Sequence, residues 1–273
     1  MHFSMYHPQA ELARTVHSFW VLEQERSYLS EKKERIFPDG YVDIFFHFGA
    51  PVQRYNHKNQ SIGGHIQLGI AGLFEQHILL KPGGNIKMIG ARLLPGALTD
   101  LFGLEPHLTT NRIINLSRVS DRGFAFELRL KKAQNNRERL NIFSSFLHTL
   151  SEKQFREKPE VITDLLQHMY SNKGIVDLTL FASNNDVNLR TLQRQFSQHI
   201  GIPPKKFARI IRFRNILGSI QRQQNPTFTH LAHEYGYFDQ AHFVNDFKKI
   251  TGLSPRSFFK EHHPISNTLN GLS

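Results

Sequence analysis

The chain has 273 residues, with 34 lysines and arginines against 23 acidic residues, a formal net charge of +11 and a pI near 9.9. Its hydrophobic fraction of 39% and charged fraction of 21% exclude an intrinsically disordered protein, and its length is sufficient for two domains. The absence of cysteine excludes disulfides and thiolate chemistry, and the basic charge favours a polyanionic partner.

Short strands are predicted throughout the N-terminal part. Runs rich in β-branched and aromatic residues occur at 16–22, 41–48, 66–70, 76–80 and 86–93. Segments rich in glycine and proline separate them, which is typical of turns. This pattern predicts an antiparallel β domain over residues 1–120, in the form of a small barrel or a sandwich.

Some residues of this β domain allow more than one interpretation. Arg92 lies in an otherwise apolar run, where it faces a ligand, pairs with a buried carboxylate such as Asp43, or points to solvent. Phe19 and Trp20 belong to the core or form a platform for a ligand. The sequence alone therefore does not identify the residues that would bind an effector.

A charged helical segment is predicted over residues 121–159 as a linker. Leu140, Phe143, Leu147 and Leu150 fit two heptads of an apolar face. The helix either covers the open face of its own β domain or pairs with a second copy, and two heptads do not decide between these alternatives.

The C-terminal part contains one pattern twice, at 188–207 and 239–258. Each copy is predicted to be a helix–turn–helix. In the first, Asn188 is a suitable N-cap, and Asn185 and Asp186 tolerate the left-handed conformation of a tight turn. In the second, Gly236 supplies the turn and Asp239 the cap.

Each second helix has one apolar and one polar face. The apolar residues recur at helical spacing and predict the buried side: Leu189, Leu192, Phe196 and Ile200 in the first, and Phe243, Phe247 and Ile250 in the second. The opposite faces carry side chains that read base edges or contact phosphate. These are Asn188, Arg190, Thr191, Gln193 and Arg194 in the first unit, and Gln240, Ala241, His242, Asn245 and Lys248 in the second.

The connector between the two copies is predicted to be one helix from Pro204 to about Arg222. Its length of roughly 30 Å compares with about 34 Å between successive major grooves on one face of B-DNA. No acidic residue occurs between 187 and 233, which is the charge pattern of a phosphate-binding surface. The basic residues there are Arg190, Arg194, Lys205, Lys206, Arg209, Arg212, Arg214 and Arg222.

These motifs resemble the DNA-binding domain of the AraC/XylS family of transcription regulators. The resemblance lies in 190–196 (RTLQRQF), 201–204 (GIPP), 207–214, 236–248 (GYFDQAHFVNDFK) and 252–255 (GLSP). The chain departs from the family at Asn185-Asp186, where an apolar residue and glycine are usual, and at Asn245, where many members have arginine. The segments 37–43 (FPDGYVD), 90–97 and 102–106 are similar to the N-terminal domain of one subgroup, in which a cupin-like barrel is expected.

The resemblance implies an α+β protein that binds double-stranded DNA and regulates transcription. We expect a regulatory domain over 1–120, a helical linker over 121–159, a DNA-binding domain over 160–263 that folds alone, and a flexible tail over 264–273. A small-molecule effector is expected as a partner, and a homodimer and a contact with RNA polymerase are left open.

The sequence gives little support to the hypotheses of an enzyme or a metal-binding protein. Catalytic serine, phosphate-loop and zinc-protease motifs are absent, so we expect neither an enzyme nor a cofactor. Among 16 histidines, none forms the paired pattern of a metal site, and no metal is expected. No apolar run approaches 18 residues and the first residues lack the pattern of a signal peptide, which predicts a cytoplasmic protein without a membrane partner. An architectural, sequence-independent DNA binder is the alternative, although Gln193, Gln240 and Asn245 favour base reading.

Overall fold

A computed structural model describes residues 2–25, 33–119, 121–152, 158–222 and 227–261. The tail predicted over 264–273 lies outside these residues. The strands are β1 His2–Tyr6, β2 Val16–Gln24, β3 Glu34–Ile36, β4 Val42–His47, β5 Val52–Tyr55, β6 Leu68–Ala71, β7 Ile78–Pro82, β8 Ile86–Leu93 and β9 Ile113–Asn115. The helices are α1 Ala97–Phe102, α2 Leu116–Val119, α3 Asp121–Lys132, α4 Asn136–Ser151, α5 Glu160–Ser171, α6 Leu178–Asn184, α7 Leu189–Ile200, α8 Pro204–Arg222, α9 Phe228–Glu234, α10 Gln240–Thr251 and α11 Pro255–Phe258.

The chain divides into two compact units that are interlaced in sequence. The N-terminal unit contains the described residues of 1–33, 41–73 and 79–157. The C-terminal unit contains those of 34–40, 74–78 and 158–273, so two segments of the first half belong with the C-terminal helices. The finer division at residues 120 and 159 stays a prediction.

The N-terminal unit is built on an antiparallel sheet in the order β1-β2-β8-β4-β6-β9. β8 is the centre of this sheet, pairing with β2 along one edge and with β4 along the other. β5 and β7 pair separately. The predicted antiparallel β architecture is therefore confirmed.

The sheet is open, and the closed barrel that was expected as one form of this domain is wrong. Among the described strands, β1 and β9 are the two edges of the six-stranded sheet. A barrel closes only when its strands tilt and stagger in register with one another. β9 has only 3 residues and pairs with β6 alone, which leaves too few backbone groups to complete a ring.

Arg92 and Trp20 both contact Asp43 in the core of this unit. The Trp20 indole N–H donates to Asp43 Oδ1 at 2.8 Å, and Arg92 Nε lies 3.4 Å from the same oxygen. Trp20 is only 4% exposed and Phe19 only 5%. The alternatives in which Arg92 pairs with a carboxylate and the two aromatic residues form core are thus confirmed.

The helix α4 packs its apolar face within the N-terminal unit. Phe143, Leu147 and Leu150 are buried, and the Phe146 ring stacks on Phe126 of α3 with centroids 3.9 Å apart. The side chain of Asn135 caps the helix by accepting from the Glu138 N–H. Most of the predicted heptad face is therefore buried within this unit, with Leu140 half-buried, and pairing of this helix with a second copy stays a prediction.

Candidate nucleic-acid interface

The first helix–turn–helix consists of α6 and α7. Asp177 caps α6 by accepting from the Thr179 N–H at 2.9 Å, so the helix begins at Leu178. Asp186 has a φ of 52°, as expected for the turn, and the Val187 N–H donates to Ala182 at 3.0 Å. Local hydrogen bonds at the start of α6 and in the turn that follows it therefore stabilise this unit.

Helix α7 presents the predicted polar face. The side chain of Asn188 accepts from the Arg190 N–H at 2.9 Å and caps the helix. Arg190 and Arg194 are exposed, whereas Thr191 and Gln193 are half-buried. Leu192, Phe196 and Ile200 are buried on the opposite side, and the half-buried Leu189 lies on the same side. Gly201, with a φ of 98°, ends the helix.

The second unit, α9 and α10, repeats this arrangement. Asp239 caps α10 by accepting from the His242 N–H at 2.7 Å. Phe243, Phe247 and Ile250 are buried beneath it. The residues predicted to face DNA are all exposed: Gln240, Ala241, His242, Asn245 and Lys248.

Two of these side chains also have partners within the unit. Gln240 Oε1 accepts from the Thr229 hydroxyl at 2.8 Å, which leaves the amide nitrogen as a donor. The His242 ring lies edge-on to Tyr237 with centroids 5.2 Å apart. Both contacts restrict side chains that would otherwise be free to rotate, and so orient them before any ligand arrives.

The sequence analysis missed an internal cluster around Asp246 on α10. Asp246 is only 8% exposed, accepts from the Tyr237 hydroxyl at 3.0 Å and pairs with Arg209 of α8 at 3.5 Å. Arg212 of α8 lies over the Tyr237 ring at 5.0 Å. Burial, followed by the negative charge of Asp246, raises the pKa of Tyr237, so this hydroxyl stays protonated as a donor.

The connector is the helix α8, Pro204–Arg222, as predicted. Its 19 residues correspond to a rod of about 28 Å. Four of its cations have partners inside the C-terminal unit. Arg209 pairs with Asp246, Arg212 donates to the Gly174 carbonyl, and Arg214 donates to the Asp39 carbonyl. Lys206 pairs with Glu75 at 2.8 Å.

Part of the basic charge between residues 187 and 233 is therefore paired within the C-terminal unit. These partners are distant in the chain, so a count of charges along the sequence does not show them. Among the predicted cations whose side chains the structure describes, Arg190, Arg194 and Lys205 are exposed and lie outside these pairs. Phe238 was also missed: it is 88% exposed in the turn before α10, an unusual position for a large aromatic side chain.

The described residues contain no group of three or more metal-ligating side chains arranged to hold an ion. Across the same part of the chain, no helix has both the length and the apolar character needed to cross a membrane.

Comparisons with known proteins agree with this geometry. Residues 181–261 match the family described as Helix-turn-helix domain, and residues 4–115 match a Domain of unknown function (DUF6597). The C-terminal unit thus contains a helix–turn–helix domain, the class that its capped, paired helices define. This match agrees with the resemblance of residues 190–255 to the DNA-binding domain of AraC/XylS-family regulators.

Individual relatives match mainly over the same region. The transcriptional activator RhaS of Pectobacterium carotovorum is 30% identical over 109 residues, which are 40% of this chain and 38% of the relative. RhaS of Escherichia fergusonii is 36% identical over 73 residues, 26% of this chain and 25% of the relative. The matches therefore span well under half of the length of these relatives.

A similar solved structure is that of ToxT from Vibrio cholerae O395. It is 12% identical to this chain with a TM-score of 0.49, covering 89% of this chain and 97% of ToxT.

Proposed function

We propose that this protein is a sequence-specific, DNA-binding regulator of transcription that acts in the cytoplasm and is not an enzyme. The observation that carries the proposal is the pair of capped recognition helices, α7 and α10, joined by the 19-residue helix α8. A rod of about 28 Å is close to the roughly 34 Å that separates successive major grooves. The two helices would then read adjacent grooves of one duplex.

The proposed base-reading side chains are Arg190, Gln193 and Arg194 on α7 and Gln240, His242 and Asn245 on α10. Arginine pairs with guanine and amide side chains pair with adenine in the major groove. Ala241 is proposed to contact bases with the other members of the α10 set, Asn188 and Thr191 to lie near the DNA backbone, and Lys248 to face a phosphate. Lys248 carries an exposed charge suited to phosphate.

We propose that the N-terminal unit binds a small-molecule effector that alters DNA binding. The support is that the antiparallel sheet belongs to a compact unit separate from the helix–turn–helix helices. The coupling would be a difference in ligand affinity between the free and DNA-bound states. A homodimer and a contact with RNA polymerase are further predictions, tested by sedimentation and by transcription assays in vitro.

The experiment that tests the function is site selection from random duplex DNA, followed by binding of variants at two salt concentrations. We expect Arg194→Ala and Gln193→Ala each to cost roughly 1–3 kcal/mol and to relax preference at adjacent base pairs. Lys248→Ala should weaken all sequences equally and lower the salt slope by about 1. His242→Ala should change preference about one helical turn away.

The alternative is an architectural DNA binder that contacts phosphate only. In that case, all of these variants would weaken binding uniformly, and no preferred sequence would emerge from selection. A protein that enriched no duplex at all would contradict both functions.

A further inference from the structure

The C-terminal end of the recognition helix α10 is covered by a short segment of the first half of the chain. This segment, Glu75 to His77, comes between β6 and β7 and belongs to the C-terminal unit. Gln76 Nε2 donates to the Lys249 carbonyl at 2.9 Å. The backbone N–H of His77 donates to the Ile250 carbonyl at 2.9 Å, and the His77 ring Nδ1 lies 3.2 Å from the same oxygen.

These bonds satisfy groups that a helix cannot satisfy by itself. The last four carbonyls of an α-helix have no partner within it, and each needs a donor from elsewhere. In α10, the N–H of Gly252 donates to the Lys248 carbonyl at 2.8 Å. The carbonyls of Lys249 and Ile250, which follow, accept hydrogen bonds from donors of the segment 75–77.

The fit around His77 is close. His77 is only 7% exposed, and a Cβ placed on Gly252 would lie 2.6 Å from its Cε1 atom. Gly252 also has a φ of 74°, which side chains other than glycine rarely adopt. Glycine at 252 therefore both ends α10 and makes room for the His77 ring.

The same segment also contacts the connector. Glu75 pairs with Lys206, in the first turn of α8, at 2.8 Å. One short stretch thus holds the start of α8 and the end of α10. Since α8 separates α7 from α10, these contacts help to fix the position of α10 relative to α7.

We propose that Gln76 and His77 are positioning residues for α10, so that side chains from the N-terminal half set how well the second helix reads DNA. This inference rests on the proposed function, in which α10 contacts bases. It adds that the second half of the DNA site depends on residues that do not touch DNA. His77 acts here with its proton on Nδ1, because only that form donates to a carbonyl.

The test uses the full chain with the variants Gln76→Leu, His77→Leu and His77→Asn. Asparagine places its amide nitrogen near the position of Nδ1 and retains the donor, whereas leucine removes it. Gln53→Leu makes the same change at an exposed position of the N-terminal unit and is the matched control. Each protein is titrated with the selected DNA site and with versions altered in one half at a time.

We expect Gln76→Leu and His77→Leu to bind the selected site about tenfold more weakly, because each removes one side-chain donor to the end of α10, although the Ile250 carbonyl keeps the backbone N–H of residue 77. The loss should disappear on DNA already altered in the half read by α10, and persist on DNA altered in the other half. His77→Asn should recover most of the affinity, and Gln53→Leu should match the wild type.

The result that overturns the inference is equal loss on both altered sites, or no loss with Gln76→Leu and His77→Leu while the wild type binds selectively. A failure of His77→Asn to recover affinity would count against the hydrogen bond as the cause. If the wild type itself showed no preferred site, the proposed function would fail instead, and the two failures are thereby distinguished.

Discussion

At the scale of single residues, His47 and Arg54 lie buried in the N-terminal unit. His47 is 1% exposed and neither ring nitrogen has a well-formed hydrogen bond. Burial lowers its pKa to about 4, and the charges of Arg54 and His65 act in the same direction while the Gly49 backbone opposes them weakly. Burial likewise lowers the pKa of Arg54 to about 10, and this guanidinium lies over the Phe45 ring at 4.9 Å.

Stability should consequently depend on pH through His47. The folded-state pKa of about 4 lies below the ordinary value of 6.5, so the folded state favours the neutral ring. This stabilisation is fully present above pH 6.5 and is lost as the pH falls from 6.5 towards 4, with a slope of about 1.4 kcal/mol per pH unit.

The variant His47→Leu removes this titration and should flatten the profile in that window. Chemical denaturation between pH 7.5 and pH 4.5 measures it, with His57→Leu, an exposed position, as the control. Parallel profiles for the wild type and His47→Leu would show that His47 is not the titrating group.

At the scale of elements, the second recognition helix is joined to the connector through a buried polar cluster. Asp246 on α10 accepts from Tyr237 and pairs with Arg209 of α8. The pairing leaves only 11% of the Asp246 side chain exposed, so little water can replace a lost partner. Removal of one partner from a largely buried ion pair is costly, because the other charge is left without compensation.

We expect Asp246→Ala to lower the free energy of unfolding by about 3 kcal/mol, since it leaves Arg209 and the Tyr237 hydroxyl without their acceptor. Tyr237→Phe should cost about 1 kcal/mol. The double variant should cost less than the sum of the two, because both changes break the same contact. Urea denaturation of the four proteins measures this cycle, and additive effects would mean that the two side chains are not coupled.

At the scale of the whole molecule, the C-terminal unit is completed by segments of the first half. Phe37 is 3% exposed in the core of that unit, with ring centroids 6.1 Å from Phe213 and 5.0 Å from Phe258. Gly40 is also tightly packed in this unit, because a Cβ at this position would lie only 3.0 Å from Ile211 Cδ1. A fragment of residues 160–263 lacks all of these contacts, and its independent folding stays a prediction.

Phe37→Ala in the full chain should destabilise the C-terminal unit by about 3–5 kcal/mol, the usual cost of a cavity left by a buried phenyl ring. Hydrogen exchange should rise in α8, α10 and α11, while the strands β2 and β8 keep their protection. Phe37→Leu fills most of the cavity and should cost less. Loss of protection confined to the β-sheet would contradict the assignment of Phe37 to the C-terminal unit.

Local chemistry accounts for what the sequence alone determined. Asn188 and Asp239 cap helices in which their bonding partners lie only two or three residues away, so chain proximity is enough to predict them. The buried faces of α7 and α10 follow from helical periodicity in the same way. The connector and the repeated helix–turn–helix could be predicted for this reason.

Only the tertiary structure decided the partners that are distant in the chain. Gln76 and Lys249 are 173 residues apart, and Arg214 and Asp39 are 175 apart, so no local pattern marks them. The open edge of the sheet, too, depends on how short β9 is and on which strand it pairs with, not on alternation within any strand. Sequence periodicity determined which faces of the helices are buried and which are exposed. Tertiary packing decided which cations stay exposed and which distant residues contact the end of α10.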